Sequence, residues 1–385
     1  MVRIAPFAVE QWMDEYETTP GVLNVAETCA ASVSIDDLVG MCKDPKAQGP
    51  IDTSLKLTYG PIPGSNALRE RIAAQCSTED TKLIAEDIVV TQGAIGANFL
   101  ALYSLVGPND HVVCVYPTYQ QLYEVPRSIG AEVSLWKLKE EESFVPNVDE
   151  LIKLIRKNTK VNIFKRELGR IAQIAKEKGI ILFSDEVYRP LFHGGASGQI
   201  DIPKSATTLG YERTITTGSM SKGYALAGIR VGWIASKDKS IISAIMAARD
   251  YTTISVSQID DQVARYALSP AVLPSLVDRN LSLARNNAKL VKEFIGRYKA
   301  VCSWVEPTAG TTAFVRFIKN GQPINDVDFC LDLLSKNNVL FVAGSKCFGN
   351  DEDFKGYIRM GYVCETHVLV EGLKRLGAYI DANLL

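Results

Sequence analysis

An alternation of short apolar runs with amphipathic segments is the feature that most restricts the fold of this chain. From about residue 88, runs rich in Val and Ile, such as DIVVT (87–91) and HVVCVY (111–116), alternate with longer segments. In GAIGANFLALYSLVG, the apolar residues Ile95, Phe99 and Leu102 recur at helical spacing. Strands that are apolar on both faces and separated by helices predict an α/β fold with a mostly parallel sheet covered by helices on both sides.

A change of pattern near residue 273 predicts a second domain. The long helical segment LPSLVDRNLSLARNNAKLVKEFIGRY leads there into shorter strands such as TTAFVRF and VLFVAG. A chain of 385 residues also exceeds what one hydrophobic core usually organises. We therefore expect a large domain over residues 50–275 and a smaller α+β domain built from residues 1–49 and 276–385.

Charge and composition exclude several classes of partner. A formal net charge of −2 provides neither a basic face for nucleic acid nor a polybasic membrane surface. No stretch approaches the roughly 18 to 20 apolar residues of a membrane span. The eight cysteines are scattered and the chain has three histidines, so no metal-ligand spacing appears. The sequence predicts a soluble, cytoplasmic protein without metal, nucleic acid or membrane partners, acting on small molecules.

The stretch SMSKGYALAGIRVG places Lys222 among small residues and offers it no carboxylate partner. A lysine in a surface loop is usually solvated, and that interpretation is the simpler one. Partial burial, however, disfavours the charged form of a lysine and leaves the amine able to attack a carbonyl group. Lys222 therefore fits a Schiff-base lysine better than a salt-bridge lysine.

Three further features follow predicted strands, where ligands of open parallel sheets bind. Gly93 and Ala94 form a strand-to-helix turn, which is either a plain turn or an anion site. The Tyr119 ring either packs in the core or stacks on a planar ligand. Asp185 ends an apolar strand and needs a cation, which is either a structural Arg or Lys or a protonated ring nitrogen. Together with the lysine, these features match the needs of pyridoxal phosphate.

At this point the chain resembles the fold-type I pyridoxal-phosphate enzymes of the class I/II aminotransferase family. SMSKGYALAGIRVG matches the family's lysine signature, and LTYGPIPGSNALRERIA, FVAGSKCFG and KGYIRMGY resemble three other family segments, so the resemblance covers nearly the whole chain. It implies a seven-stranded type of sheet in the large domain. It also implies a homodimer with shared active sites, because Tyr59 in such families reaches the cofactor phosphate of the neighbouring subunit.

The resemblance also implies a role for each matching residue. Lys222 would form the Schiff base and move the substrate's α-proton, Asp185 would keep the ring nitrogen protonated, and Tyr188 would hydrogen-bond the ring oxygen. Tyr119 would stack on the ring, and Arg359 would clamp the α-carboxylate of the amino acid substrate. The residues that would hold the phosphate are Gly93, Ala94, Ile95, Ser219, Ser221 and Arg230.

The chain departs from the family's pattern at three places. Relatives carry an Asn-Pro-x-x-Pro-[Thr/Ser]-Gly loop after the strand that here reads KVNIF, and its first Asn helps to bind the ring oxygen, but KVNIF is followed directly by KRELGR. The abrupt join favours an omission of unresolved loop residues over a true deletion. Ile95 replaces a hydroxyl or amide residue, and Ala343 stands where a proline usually precedes Gly344.

The residues that hold the cofactor do not by themselves select the reaction. Transamination of an amino acid is the expected activity, because it is the commonest one in the family. The alternative is a lyase or cyclase on the same scaffold, since PFAVEQWMDEYET and NVAETCAASVSI weakly resemble capreomycidine-synthase-like members. A non-enzymatic sensing domain is disfavoured, because the chain has no basic patch and carries the lysine, the acid and both arginines.

Overall fold

The computed structural model describes residues 4–164, 168–198 and 202–385. The α-helices are α1 (Ala8–Tyr16), α2 (Ile35–Gly40), α3 (Asn66–Cys76), α4 (Gly93–Leu105), α5 (Gln121–Ile129), α6 (Val148–Leu154), α7 (Leu168–Lys178), α8 (Lys239–Arg249), α9 (Gln258–Ala267), α10 (Leu273–Arg297), α11 (Asp326–Asn337), α12 (Gly344–Phe348) and α13 (Thr366–Asn383). The strands are β1 (Leu23–Asn24), β2 (Ile88–Gln92), β3 (His111–Tyr116), β4 (Glu132–Lys137), β5 (Thr159–Phe164), β6 (Ile181–Asp185), β7 (Thr214–Ser219), β8 (Val231–Ala235), β9 (Cys302–Trp304), β10 (Thr312–Lys319), β11 (Gln322–Pro323), β12 (Val339–Leu340), β13 (Val342–Ala343) and β14 (Tyr357–Gly361).

A seven-stranded sheet forms the centre of the larger part of the described chain. Its strand order is β2-β8-β7-β6-β5-β3-β4. Strand β8 is antiparallel to β2 and β7, and the other neighbouring pairs are parallel. All six residues of β3 are buried, as expected of a strand covered on both faces. The predicted α/β class with a mostly parallel sheet is confirmed.

The chain divides into two compact units. The larger comprises Met1–Ala5, Ser32–Arg189 and Ile202–Val277, and the smaller comprises Pro6–Ala31, Pro190–Asp201 and Asp278–Leu385. The larger unit holds the seven-stranded sheet. The smaller holds an antiparallel sheet of β11, β10, β14 and β13 with β9 paired to β10, and a short parallel pair of β1 and β12. Within the described ranges, no helix is both long and apolar enough to cross a membrane.

Among the residues that the structure describes, two apolar clusters pack on the large sheet. One joins Leu68 and Ile72 of α3 to Val90 of β2 and Trp233 of β8. The other joins helices α6 and α7 to β3, β4 and β6 and includes the fully buried Trp136. Because helices pack on the sheet, the backbone groups able to meet a ligand lie at the strand ends.

A buried histidine is part of the core of the smaller unit. His193 is 0% exposed, and the Gly195 N–H donates to its Nδ1 at 3.0 Å. Its Nε2 therefore carries the proton and donates to the Tyr362 hydroxyl oxygen at 2.6 Å. Burial, helped by the Arg285 charge, lowers the pKa of His193 from 6.5 to about 4.

The join between β5 and α7 corrects one expectation. Strand β5 ends at Phe164, α7 begins at Leu168, and the residues between them, 165–167, lie outside the described residues. The full sequence has 385 residues and runs without a gap from Phe164 to Leu168. The expectation that unresolved loop residues were omitted from this join was therefore wrong, because three residues cannot contain the seven-residue Asn-Pro loop.

Candidate active site

The strand-to-helix turn at Gly93 lies against the start of β8. Gly93 has a φ of +71°, which favours glycine, and a Cβ built on it would lie 2.7 Å from Nη2 of Arg230. A Cβ built on Gly232 would lie 2.3 Å from the Gly93 carbonyl carbon and 2.6 Å from the Ala94 nitrogen. The Thr91 hydroxyl donates to the Gly93 carbonyl at 3.0 Å. The first turn of α4 is thus held close to β8, and the first N–H groups of a helix have no partner within that helix.

Two serines and an arginine complete this turn. Ser219 is 1% exposed, and its Oγ donates to Ser221 Oγ at 2.7 Å while accepting the Ser221 N–H at 2.9 Å. Arg230 Nη1 donates to Ser221 Oγ at 3.4 Å and to the Ala227 carbonyl at 2.8 Å. The strand register places Ser219 opposite Gly232. A guanidinium, two hydroxyls and the N-terminus of α4 therefore meet in a cradle suited to a phosphate group.

Lys222 lies on the loop that follows β7, three residues after Ser219, and is half-buried. The loop is closed at both ends by backbone hydrogen bonds. The Met220 N–H donates to the Val231 carbonyl at 2.9 Å, and the Leu226 N–H donates to the Met220 carbonyl at 3.0 Å. The lysine is thus carried by a fixed loop beside the phosphate cradle.

The two carboxylates that end β6 have different partners. Glu186 pairs with Arg189, with 2.9 Å between its Oε2 and the arginine Nε, and both side chains are less than 20% exposed. Asp185 accepts from the Val187 N–H at 3.2 Å through Oδ1 and from Asn98 Nδ2 at 3.0 Å through Oδ2. Across the described parts of the chain, no Arg or Lys forms an ion pair with Asp185. The structural cation is therefore Arg189, and it pairs with Glu186. Asp185 is left able to accept a hydrogen bond from a protonated ring nitrogen.

Sequence reasoning missed two polar residues behind Asp185. Asn98 is 1% exposed and Thr217 is 0% exposed, and the Thr217 hydroxyl donates to Asn98 Oδ1 at 2.7 Å. The signal available in the sequence was a single asparagine among the apolar residues of α4. Its partner on β6 is 87 residues away in the chain, so no local pattern connects them.

The two predicted ring-binding tyrosines lie on turns next to this cluster. Tyr119 is half-buried between β3 and α5. The neighbouring Gln121 donates through Nε2 to the Ile95 carbonyl at 2.7 Å, which ties that turn to the first turn of α4. Tyr188 lies on the turn after β6, which the pair of Glu186 and Arg189 stabilises.

Tyr59 and Arg359 lie on different units of the chain. Tyr59 belongs to the larger unit and is 81% exposed. Arg359 belongs to the smaller unit, on β14. Its Nη2 donates to the Ala26 carbonyl at 2.9 Å, and its guanidinium carbon lies 5.5 Å from the centre of the Phe348 ring.

The large unit thus carries an anion cradle, a lysine and an acid without a basic partner at one edge of a mostly parallel sheet. That combination suits a phosphorylated aromatic ligand. Comparison with known proteins agrees, because the family model described as aminotransferase class I and II matches residues 51–376. The chain therefore belongs to the aminotransferase class I and II family and is an enzyme.

Individual relatives resemble the chain over most of its length. The capreomycidine synthase of Streptomyces vinaceus is 28% identical over 337 residues, 84% of this chain and 81% of that protein. The aspartate aminotransferase of Sulfurisphaera tokodaii is 26% identical over 340 residues, 83% of this chain and 81% of that protein. The crystal structure of a PLP-dependent aminotransferase from Streptococcus suis superposes with a TM-score of 0.87 at 33% identity, covering 99% of this chain and 98% of that one.

Proposed function

We propose that the protein is an aminotransferase that binds pyridoxal phosphate at the carboxyl edge of the large sheet. The observation that carries the proposal is the close approach of Gly93, Gly232 and Arg230, which brings a helix N-terminus, two hydroxyls and a guanidinium together. When bound, pyridoxal phosphate supplies an aldehyde for an amino group and a ring that stabilises negative charge at the substrate's α-carbon.

The phosphate cradle provides binding and orientation. The Ala94 and Ile95 N–H groups lie in the first turn of α4, where the helix dipole favours a negative charge. The hydroxyls of Ser219 and Ser221 and the Arg230 guanidinium add donors. Ile95 contributes only its backbone, because its side chain is apolar.

The remaining residues act on protons and on the ring. The Lys222 Nζ would hold the aldehyde carbon in the resting enzyme, with the aldehyde oxygen released as water. Once the substrate amine has taken its place, the free Nζ would carry the α-proton of the substrate. The Asp185 carboxylate would hold the proton on the ring nitrogen, as its lack of a basic partner allows. Tyr188 would donate to the ring oxygen, and Tyr119 would cover one ring face.

The substrate carboxylate and the second subunit would use two further residues, Arg359 and Tyr59. Arg359 presents a guanidinium fork, which suits bidentate binding of an α-carboxylate.

The larger unit exposes three large side chains over most of their surface: Tyr59 at 81%, Leu57 at 71% and Tyr251 at 92%. We infer a homodimer in which Tyr59, exposed on this unit, reaches the site of the partner subunit, as the family resemblance implies. The eight cysteines are thiols, six of them buried, which supports a reducing, cytoplasmic location.

The test of the proposal is replacement of Lys222 by Ala. The variant should lose the visible absorbance that pyridoxal phosphate gives when it is bound to the amine, and turnover should fall by at least about a thousandfold, since one side chain serves as nucleophile and base. Lys237→Ala, in the same unit and also half-buried, is the matched control and should keep both properties. Near wild-type turnover of amino acids by Lys222→Ala would refute the assignment.

A lyase or cyclase is the second candidate, favoured by the likeness to capreomycidine synthase over 84% of the chain. The same phosphate, lysine and acid positions serve both reactions. Incubation with one amino acid and no keto acid separates them. An aminotransferase stops after about one product molecule per active site, because the amino group stays on the enzyme. A lyase or cyclase continues to turn over.

A further inference from the structure

Asn98 is a polar side chain buried inside an apolar helix. It lies on α4, one and a half turns after Gly93, and only 1% of its surface is exposed. A buried amide without partners is costly, so its hydrogen bonds show what the residue does. Both bonds lead to the edge of the sheet that carries Asp185.

The two hydrogen bonds fix the orientation of the amide. The Thr217 hydroxyl donates to Asn98 Oδ1 at 2.7 Å, and Asn98 Nδ2 donates to Asp185 Oδ2 at 3.0 Å. If the amide were turned over, its oxygen would face a carboxylate oxygen, and both atoms are acceptors. Thr217 and Asp185 are also register partners on β7 and β6. The three side chains thus form one chain of hydrogen bonds from the interior of the sheet to its edge.

This chain holds the Asp185 carboxylate at two points. Oδ2 accepts from Asn98, and Oδ1 accepts from the Val187 N–H at 3.2 Å. Each oxygen retains acceptor capacity, because an ionised carboxylate offers about four lone-pair sites. Bonds to both oxygens leave the carboxylate little freedom to rotate. An ionised acceptor in a fixed direction is what a protonated ring nitrogen requires.

We propose that Asn98 is a positioning residue for the reaction, which acts through Asp185 and is itself oriented by Thr217. The proposal rests on the proposed function, since it assigns Asp185 to the ring nitrogen of pyridoxal phosphate. Asn98 fixes the direction in which the carboxylate meets the ring, and it keeps a donor on the side of the carboxylate that faces the protein interior.

The experiment compares the wild type with Asn98→Leu, which keeps the branch at Cγ and removes the amide. Asn162→Leu is the matched control, because Asn162 is also a buried asparagine of the larger unit, 3% exposed, and lies on β5 outside the site. Two properties are measured after addition of pyridoxal phosphate: its dissociation constant, and the pH midpoint of its visible absorbance. A purely structural role would not move the midpoint.

Asn98→Leu should weaken binding about tenfold, which matches the loss of a hydrogen bond to a charged group. The absorbance midpoint should rise by about one pH unit, because a ring that is less often protonated repels a second proton less. Thr217→Val should move both properties in the same direction by less, since the amide remains. Asn162→Leu should leave both unchanged.

The outcomes separate the two proposals. If the wild type gives no visible absorbance with pyridoxal phosphate, the proposed function fails. If the wild type binds it but Asn98→Leu has the midpoint of Asn162→Leu, the role of Asn98 is overturned. Should circular dichroism show that Asn98→Leu does not fold, Thr217→Val decides, and an unchanged midpoint in that variant overturns the proposal as well.

Discussion

Gly232 offers a test of the phosphate cradle that leaves every proposed ligand side chain in place. Gly232→Ala adds one methyl group, and its backbone does not require a positive φ. The new Cβ would lie 2.3 Å from the Gly93 carbonyl carbon and 2.6 Å from both the Gly93 oxygen and the Ala94 nitrogen. The expected effect is therefore a displacement of the turn that begins α4.

The size of the effect follows from these distances. Non-bonded carbon atoms prefer about 3.5 to 4.0 Å, so the contact is short by more than about 1 Å. Strand β8 is held by strands on both sides, since Gly232 is in register with Thr91 of β2 and Ser219 of β7. The turn must therefore give way rather than the strand. A misplacement of about 1 Å can cost about a hundredfold in rate, and we expect a loss of similar size, about 2.7 kcal/mol, in affinity for pyridoxal phosphate.

The assay is titration of the cofactor-free protein with pyridoxal phosphate, with circular dichroism to confirm folding. Gly228→Ala is the control, because it lies in the same segment and a Cβ there would meet no heavy atom within 4 Å. That variant should bind with wild-type affinity. Equal affinities for the folded Gly232→Ala and Gly228→Ala variants would show that the turn does not bind the phosphate.

Two further predictions concern the smaller unit. His193 has a folded pKa of about 4, below its ordinary value of 6.5, so the unfolded chain binds a proton before the folded one as the pH falls. The free energy of unfolding should therefore decrease by about 3 kcal/mol between pH 6.5 and 4 through this group, and a His193→Gln variant in denaturant titrations should lack that component. Arg359→Lys should raise KM for the amino acid about ten- to a hundredfold with a smaller change in kcat, because an ammonium cannot replace the bidentate fork; an unchanged KM in steady-state assays would place the carboxylate elsewhere.

The strands of the large sheet could be predicted closely because each is decided by a local apolar run. DIVVT and HVVCVY were predicted over residues 87–91 and 111–116, and the structure has strands at Ile88–Gln92 and His111–Tyr116. The antiparallel place of β8 between β2 and β7 was not predicted. Strand order depends on contacts between distant segments, and local periodicity does not carry that information. The two-residue strands β1 and β12 are too short to give a pattern at all.

The candidate site also contains residues that a local motif indicates and contacts that no local motif indicates. Lys222, Ser219, Ser221 and Arg230 lie within one stretch, so a single motif could indicate them. The sequence left the cation of Asp185 open, because Asp185 and Glu186 are adjacent and both follow the same strand. The structure separates them through a local ion pair for Glu186 and a bond from Asn98 for Asp185. The bond from Asn98 is a tertiary contact across 87 residues, which no local pattern in the sequence indicates.

In the proposed site, the short join between β5 and α7 would give Tyr188 greater importance than in the relatives that the sequence resembles. Those relatives add an asparagine from the Asn-Pro loop to the tyrosine that binds the ring oxygen, and this chain has only residues 165–167 between strand and helix. The proposed ring contacts are then Tyr188 at the oxygen, Asp185 at the nitrogen and Tyr119 on the face. With one fewer donor at the oxygen, the direction of the ring depends more on the Asp185 carboxylate. The hydrogen bonds from Asn98 and Val187 that fix this carboxylate therefore become more important for the proposed reaction.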